Sequence, residues 1–108
     1  MLHSKSMKLL HKNYFGYVAK CKCCKDIQLG LGNVILTFTE QDYFDFGSFF
    51  DEIRENYKAI EDKNNFKKKY IISTGYNGVI LSLSYKELEY TIELLNFSNI
   101  MLFVNSVI

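Results

Sequence analysis

Proline and tryptophan are absent from this chain, histidine occurs only twice, and the formal net charge is +1. A charge so near zero supplies no global field to draw the chain onto nucleic acid or an anionic membrane, which leaves only local patches for such partners. No apolar run is long enough for a signal peptide, and the most apolar one, residues 100–104, falls far short of the ~20 residues that cross a bilayer. A membrane span is therefore excluded, and a cytoplasmic location is expected. G-x-S-x-G, G-x-x-x-x-G-K-[ST] and H-E-x-x-H are also missing, and with them the usual nucleophile, phosphate and metalloprotease signatures. The chain is not expected to be an enzyme. The lack of proline and tryptophan beside plentiful Lys, Asn, Ile, Tyr and Phe is a slant that AT-rich coding also produces, so aromatics and lysines carry little functional weight by number alone.

What is present describes an ordinary globular protein. With 108 residues, 48% hydrophobic and 23% charged, residues 1–108 fit one domain with one core. Residues 1–13 mix Ser, Lys, His and Asn without a sustained period and read as a ragged terminus. The β-formers of residues 14–21 predict a first strand, in which Gly16 permits a bulge or a close backbone approach. A short alternating strand follows at 27–29, then a turn at 30–33, then a strand at 34–38. Thr39 with Asp42 caps a helix whose Tyr43, Phe46, Phe50, Ile53, Tyr57 and Ile60 recur at spacings of three and four. Residues 61–69 break that period and read as a linker.

The second half repeats this grammar. A strand from Tyr70, the hairpin dipeptide Asn77-Gly78, a strand to Leu83 and a capping box of Ser84 with Glu87 lead into a helix striped by Leu88, Ile92 and Leu95. Residues 96–99 are expected to end it, and residues 100–104 read equally well as strand or helix. Residues 27–53 align with 72–98 without a gap, which makes them candidate ββα repeats. The expected fold is α+β: a two-layer sandwich with an antiparallel sheet of about five strands and both helices on one face. The other sheet face then lies open, with Tyr14 or Phe15, Tyr17 or Val18, Tyr70 and Tyr76 as its candidate aromatics. This surface, or an unpaired edge strand, makes a protein partner or a homo-oligomer the expected association.

The chemistry-bearing cluster is Cys21-Lys22-Cys23-Cys24-Lys25. Cys21 and Cys24 form a C-x-x-C pair, whose spacing lets two thiolates reach one tetrahedral Zn²⁺; Cys23 and His11 are the candidates to complete the shell, alone or with a second subunit. Redox chemistry is the competing reading, since Lys20, Lys22 and Lys25 would favour thiolates. A β-turn location lacks the helix N-terminus on which thioredoxin-like motifs rely. Lys63, Lys67, Lys68 and Lys69 with Phe66 and Tyr70 make a basic loop that could contact phosphates, but Glu61 and Asp62 adjoin it and nucleic acid is not the expected partner. Glu89 and Glu93 lie one helical turn apart and read as exposed like charges rather than an acid and base.

Gly16-Tyr17-Val18, Cys21-x-x-Cys24 and Ile27-Gln28-Leu29-x-x-Gly32-Asn33-Val34 together resemble the N-terminal signature of a small bacterial family of unknown function. The resemblance covers residues 16–38. It implies a stand-alone single-domain protein and no assigned activity, with Cys23 an additional cysteine inside the matching pair.

Overall fold

The computed structural model describes residues 7–57, 68–75 and 78–107, with side chains except those of residues 51, 53–57, 68–69 and 105–107. Six strands and two helices follow in the order β1 (Met7–Lys12), β2 (Gly16–Cys21), β3 (Ile27–Leu31), β4 (Val34–Phe38), α1 (Glu40–Tyr57), β5 (Lys68–Ser73), β6 (Ile80–Ser84) and α2 (Tyr85–Val107). The class is α+β, as expected. The single sheet of about five strands is replaced by two: an antiparallel meander β1-β2-β3-β4 and a separate antiparallel hairpin β5-β6. The extra strand is β1, within the stretch expected to be ragged. A bulge between Leu9 and His11 breaks its alternation, so the period of two that identifies a strand is absent from its sequence.

The meander closes through short turns. Between β1 and β2 the Asn13 side-chain oxygen accepts from the backbone N–H groups of Phe15 and Gly16 at 3.0 and 3.1 Å, so Tyr14 belongs to a turn and is 93% exposed. Gly32 turns β3 into β4 at φ +59, a conformation that L side chains rarely adopt. Register puts Val18, Leu29 and Leu36 side by side on the helix-covered face, where all three are buried. On the outer face the Tyr17 ring lies over Gly30, and its hydroxyl donates to Gln28 Oε1 at 2.8 Å. Gly16 is the close backbone approach expected of it. A Cβ there would stand 1.9 Å from the Gly30 carbonyl oxygen.

Both helices begin at the expected caps. Thr39 Oγ1 accepts from Asp42 N at 3.2 Å, and Ser84 and Glu87 exchange two bonds of 3.0 and 3.1 Å. Each satisfies backbone donors that the first helical turn leaves unpaired. The order strand, strand, cap, helix therefore occurs twice, although the first unit belongs to the larger sheet and the second forms its own. β5 starts at Lys68, inside the expected linker, and residues 61–67 lie outside the described residues. Asn77 of the expected hairpin dipeptide does too, while Gly78 has φ +80 and Thr74 Oγ1 donates to the Val79 carbonyl at 2.8 Å across the loop.

α2 does not stop at residues 96–99. Ser98 is buried against α1, where its hydroxyl pairs with that of Tyr43 and also donates to the Leu95 carbonyl at 3.1 Å. The polar residues that resemble a terminator thus serve a helix–helix contact, and no Gly or Pro interrupts the run beyond them. α2 packs on β1, β2, β5, β6 and α1, so it joins the two sheets. At the β1–β2 end, Asn13 Nδ2 donates to the Tyr90 carbonyl at 2.9 Å, and His11, stacked on Phe97, meets Glu93 at 2.9 Å. Tyr70, a candidate for the open sheet face, is instead buried in the core with Ile72, Leu81 and Leu83. Among the described residues no helix is long and apolar enough to cross a membrane.

Two glycines give opposite expectations. Gly16→Ala drives a Cβ into backbone that cannot rotate away, and a loss of about 1–3 kcal/mol is expected. Gly47 lies within α1, where an added Cβ would stand 4.0 Å from Asn99 Nδ2, an ordinary contact, so Gly47→Ala is expected to gain about 0.5–1 kcal/mol. Urea unfolding of both variants measures the two signs.

Candidate metal centre

The cysteines lie where β2 ends and the chain reverses into β3. Lys25 adopts φ 63 in this turn, and Cys21 N donates to the Asp26 carbonyl at 2.8 Å, which fixes the base of the loop. Cys21 is buried as the last residue of β2, whereas Cys23 and Cys24 are exposed on the turn. The turn folds both back over the first. Cys21 Sγ is 3.4 Å from Cys23 Sγ and accepts from Cys24 N at 3.2 Å. All three sulfur atoms lie within 4.8 Å of one another, close enough to hold a metal ion.

These contacts divide the three thiols electrostatically. Hydrogen bonding with the Cys24 side chain, aided by Cys23 and by the backbone of both residues, lowers the Cys21 thiol to about 7 against burial, which opposes ionisation. Cys23 and Cys24 move upward, each chiefly because its thiol proton is engaged by Cys21. Cys21 is thus the thiol of the three that ionises most readily. Cys23, which the spacing argument places between the C-x-x-C pair, is a full member of the group.

His11 is not brought to this cluster. It lies opposite Val18 on the helix-covered face of the sheet, whereas Cys21 lies opposite Met7 on the other face. The imidazole is engaged by Glu93 and Phe97 instead. Glu93, read from sequence as an exposed like charge, is thus the partner of a histidine on another element. Lys20 reaches back to α1, with its Nζ 3.2 Å from Glu40 Oε1, and leaves Lys22 and Lys25 as the exposed cations of the turn. Of the basic-loop residues, Lys63 and Lys67 lie outside the described residues. Lys68 and Lys69 are placed by backbone alone, in β5.

The pH dependence of stability follows from the signs. Cys21 has a folded pKa of about 7 below a reference of 9.0, so its contribution is complete above pH 9 and is lost as pH falls through 7. Cys23 and Cys24 are shifted upward and act oppositely above 9.0. Tyr43, raised by burial to about 12 from 10.0, adds a further loss above pH 10. The urea midpoint of metal-free, reduced protein is expected to rise from pH 7 to 9 and to fall beyond it. Cys21→Ser should flatten the rising limb, and an unchanged limb would contradict the assignment.

No curated protein and no solved structure matches the chain. A family model does, over residues 2–106, and its description is "Family of unknown function (DUF6686)". The expected membership of a small family of unknown function holds: the match covers nearly the whole chain, and the protein belongs to this family.

Proposed function

We propose that this protein is a small non-catalytic metal-binding module whose centre is the cysteine turn. The observation that carries the reading is the mutual approach of three sulfur atoms within 4.8 Å, on residues from one strand end and one tight turn. Thiolate is the ligand that Zn²⁺ takes at about 2.3 Å, and three such ligands leave one tetrahedral position open. Because two of the three cysteines are exposed, the ion would exchange with solvent or a partner rather than hold the core together. The lowered Cys21 ionisation favours uptake at neutral pH, since a metal must displace every thiol proton it replaces.

Reduced protein is expected to take up one zinc ion per chain. At zinc concentrations about a hundredfold above the dissociation constant, the gain in stability should be roughly 2.7 kcal/mol. Cys21→Ser, Cys23→Ser and Cys24→Ser should each weaken binding at least about tenfold. Competition with a chromophoric chelator measures this, and absence of uptake by the reduced chain would sink the proposal.

A second reading, association with another copy of the chain, is favoured by the distal part of α2. Phe97, Ile100, Met101 and Val104 are exposed there, and no charged residue occurs from 94 to 108. An exposed apolar patch of this kind marks a surface that a partner covers. The outer sheet face adds exposed Leu9 and Ile35. Sedimentation equilibrium is expected to give a concentration-dependent dimer that Ile100→Lys abolishes, with the melting temperature unchanged at dilutions where the parent chain is already monomeric. A monomer at every concentration would remove this reading.

A further inference from the structure

The turn offers three sulfur ligands, and the neighbouring strand offers a fourth. Met7 is the β1 residue paired with Cys21 across the ladder. Directly opposed residues of an antiparallel pair project from the same face, with Cβ atoms about 4.5–5.5 Å apart. A methionine side chain spans that separation, and its three flexible torsions let the thioether turn toward the thiol. Met7 is half-buried at the end of β1. Among the described residues no histidine, aspartate or glutamate joins the three cysteines.

We propose that Met7 and the three cysteines form an all-sulfur site for a soft monovalent cation, Cu(I). The inference rests on the reading of the cysteine turn as a metal centre and names the ion it selects. A neutral thioether adds little to a borderline ion such as Zn²⁺ but is a preferred ligand of Cu(I). Charge agrees with this choice. Three thiolates around a monovalent ion leave two negative charges, and Lys22 and Lys25 are the two exposed cations of the same turn. Exposure of Cys23 and Cys24 leaves the ion open to ligand exchange, as an ion in transit requires, while buried Cys21 and the Met7 strand anchor it.

The test uses the full reduced chain under anaerobic conditions, with Cu(I) supplied as its acetonitrile complex in competition with a bicinchoninate probe. Zn²⁺ is titrated in parallel. One Cu(I) per chain is expected, with only sulfur scatterers in its X-ray absorption spectrum. Met7→Leu conserves volume and the apolar contact, so the fold should persist, as circular dichroism would verify. It should weaken Cu(I) binding at least about tenfold, a difference of roughly 1.4 kcal/mol, and leave Zn²⁺ binding within about twofold of the parent. Unaltered Cu(I) affinity in Met7→Leu, or nitrogen or oxygen in the coordination shell, would overturn the four-sulfur site while leaving the three-thiolate reading intact. Failure of the parent chain to bind either ion would overturn both.

Discussion

The burial of α2 against both sheets is the contact on which the rest of the structure depends. A two-stranded hairpin is marginal in water on its own. β5-β6 becomes stable by turning Tyr70, Ile72, Leu81 and Leu83 into the core that Leu88, Ile92, Leu94 and Leu95 of α2 share. The same helix reaches the first sheet, where His11 and Asn13 bond to Glu93 and to the Tyr90 carbonyl. Removing α2 would therefore take away the helix that packs on strands of both sheets. The Tyr43–Ser98 hydroxyl pair locks α1 to this arrangement, and its full burial makes it costly to break on either side.

Covering one face of the meander leaves the other to chemistry. Strand parity places Cys21 and Met7 on the outer face and His11 on the inner one, so a strand pairing only a few residues long separates ligands that look interchangeable in sequence. The turn after β2 then does what neither strand does alone. It is short enough to fold Cys23 and Cys24 back onto Cys21, and its positive-φ residue, Lys25, sets the reversal. The result is a group of three thiols close enough to hold a metal ion.

Much of the local structure was legible. Cap residues Thr39 and Ser84, the strand at 34–38 and the paired order of strand, strand and helix are written in short-range patterns, and those patterns are enforced by backbone donors that must be satisfied nearby. Two elements escape those patterns. β1 was hidden because a bulge spoils alternation, and the end of α2 was misplaced because Ser98 and Asn99 look like solvent-facing terminators until α1 is beside them. Whether a polar residue ends a helix or meets another element depends on a neighbour distant in sequence.

The sequence by itself determined the class of fold, the helix starts, the turn positions and the candidacy of Cys21, Cys23 and Cys24, since each follows from residues within a few positions of one another. The tertiary structure alone decided that the strands divide into two sheets, that Tyr70 faces inward, that His11 serves Glu93 rather than the cysteines, and that Met7 stands opposite Cys21. Register and strand parity create these relations. They are properties of pairing between segments, and a linear pattern carries them only after hydrogen bonds have chosen which residues lie side by side.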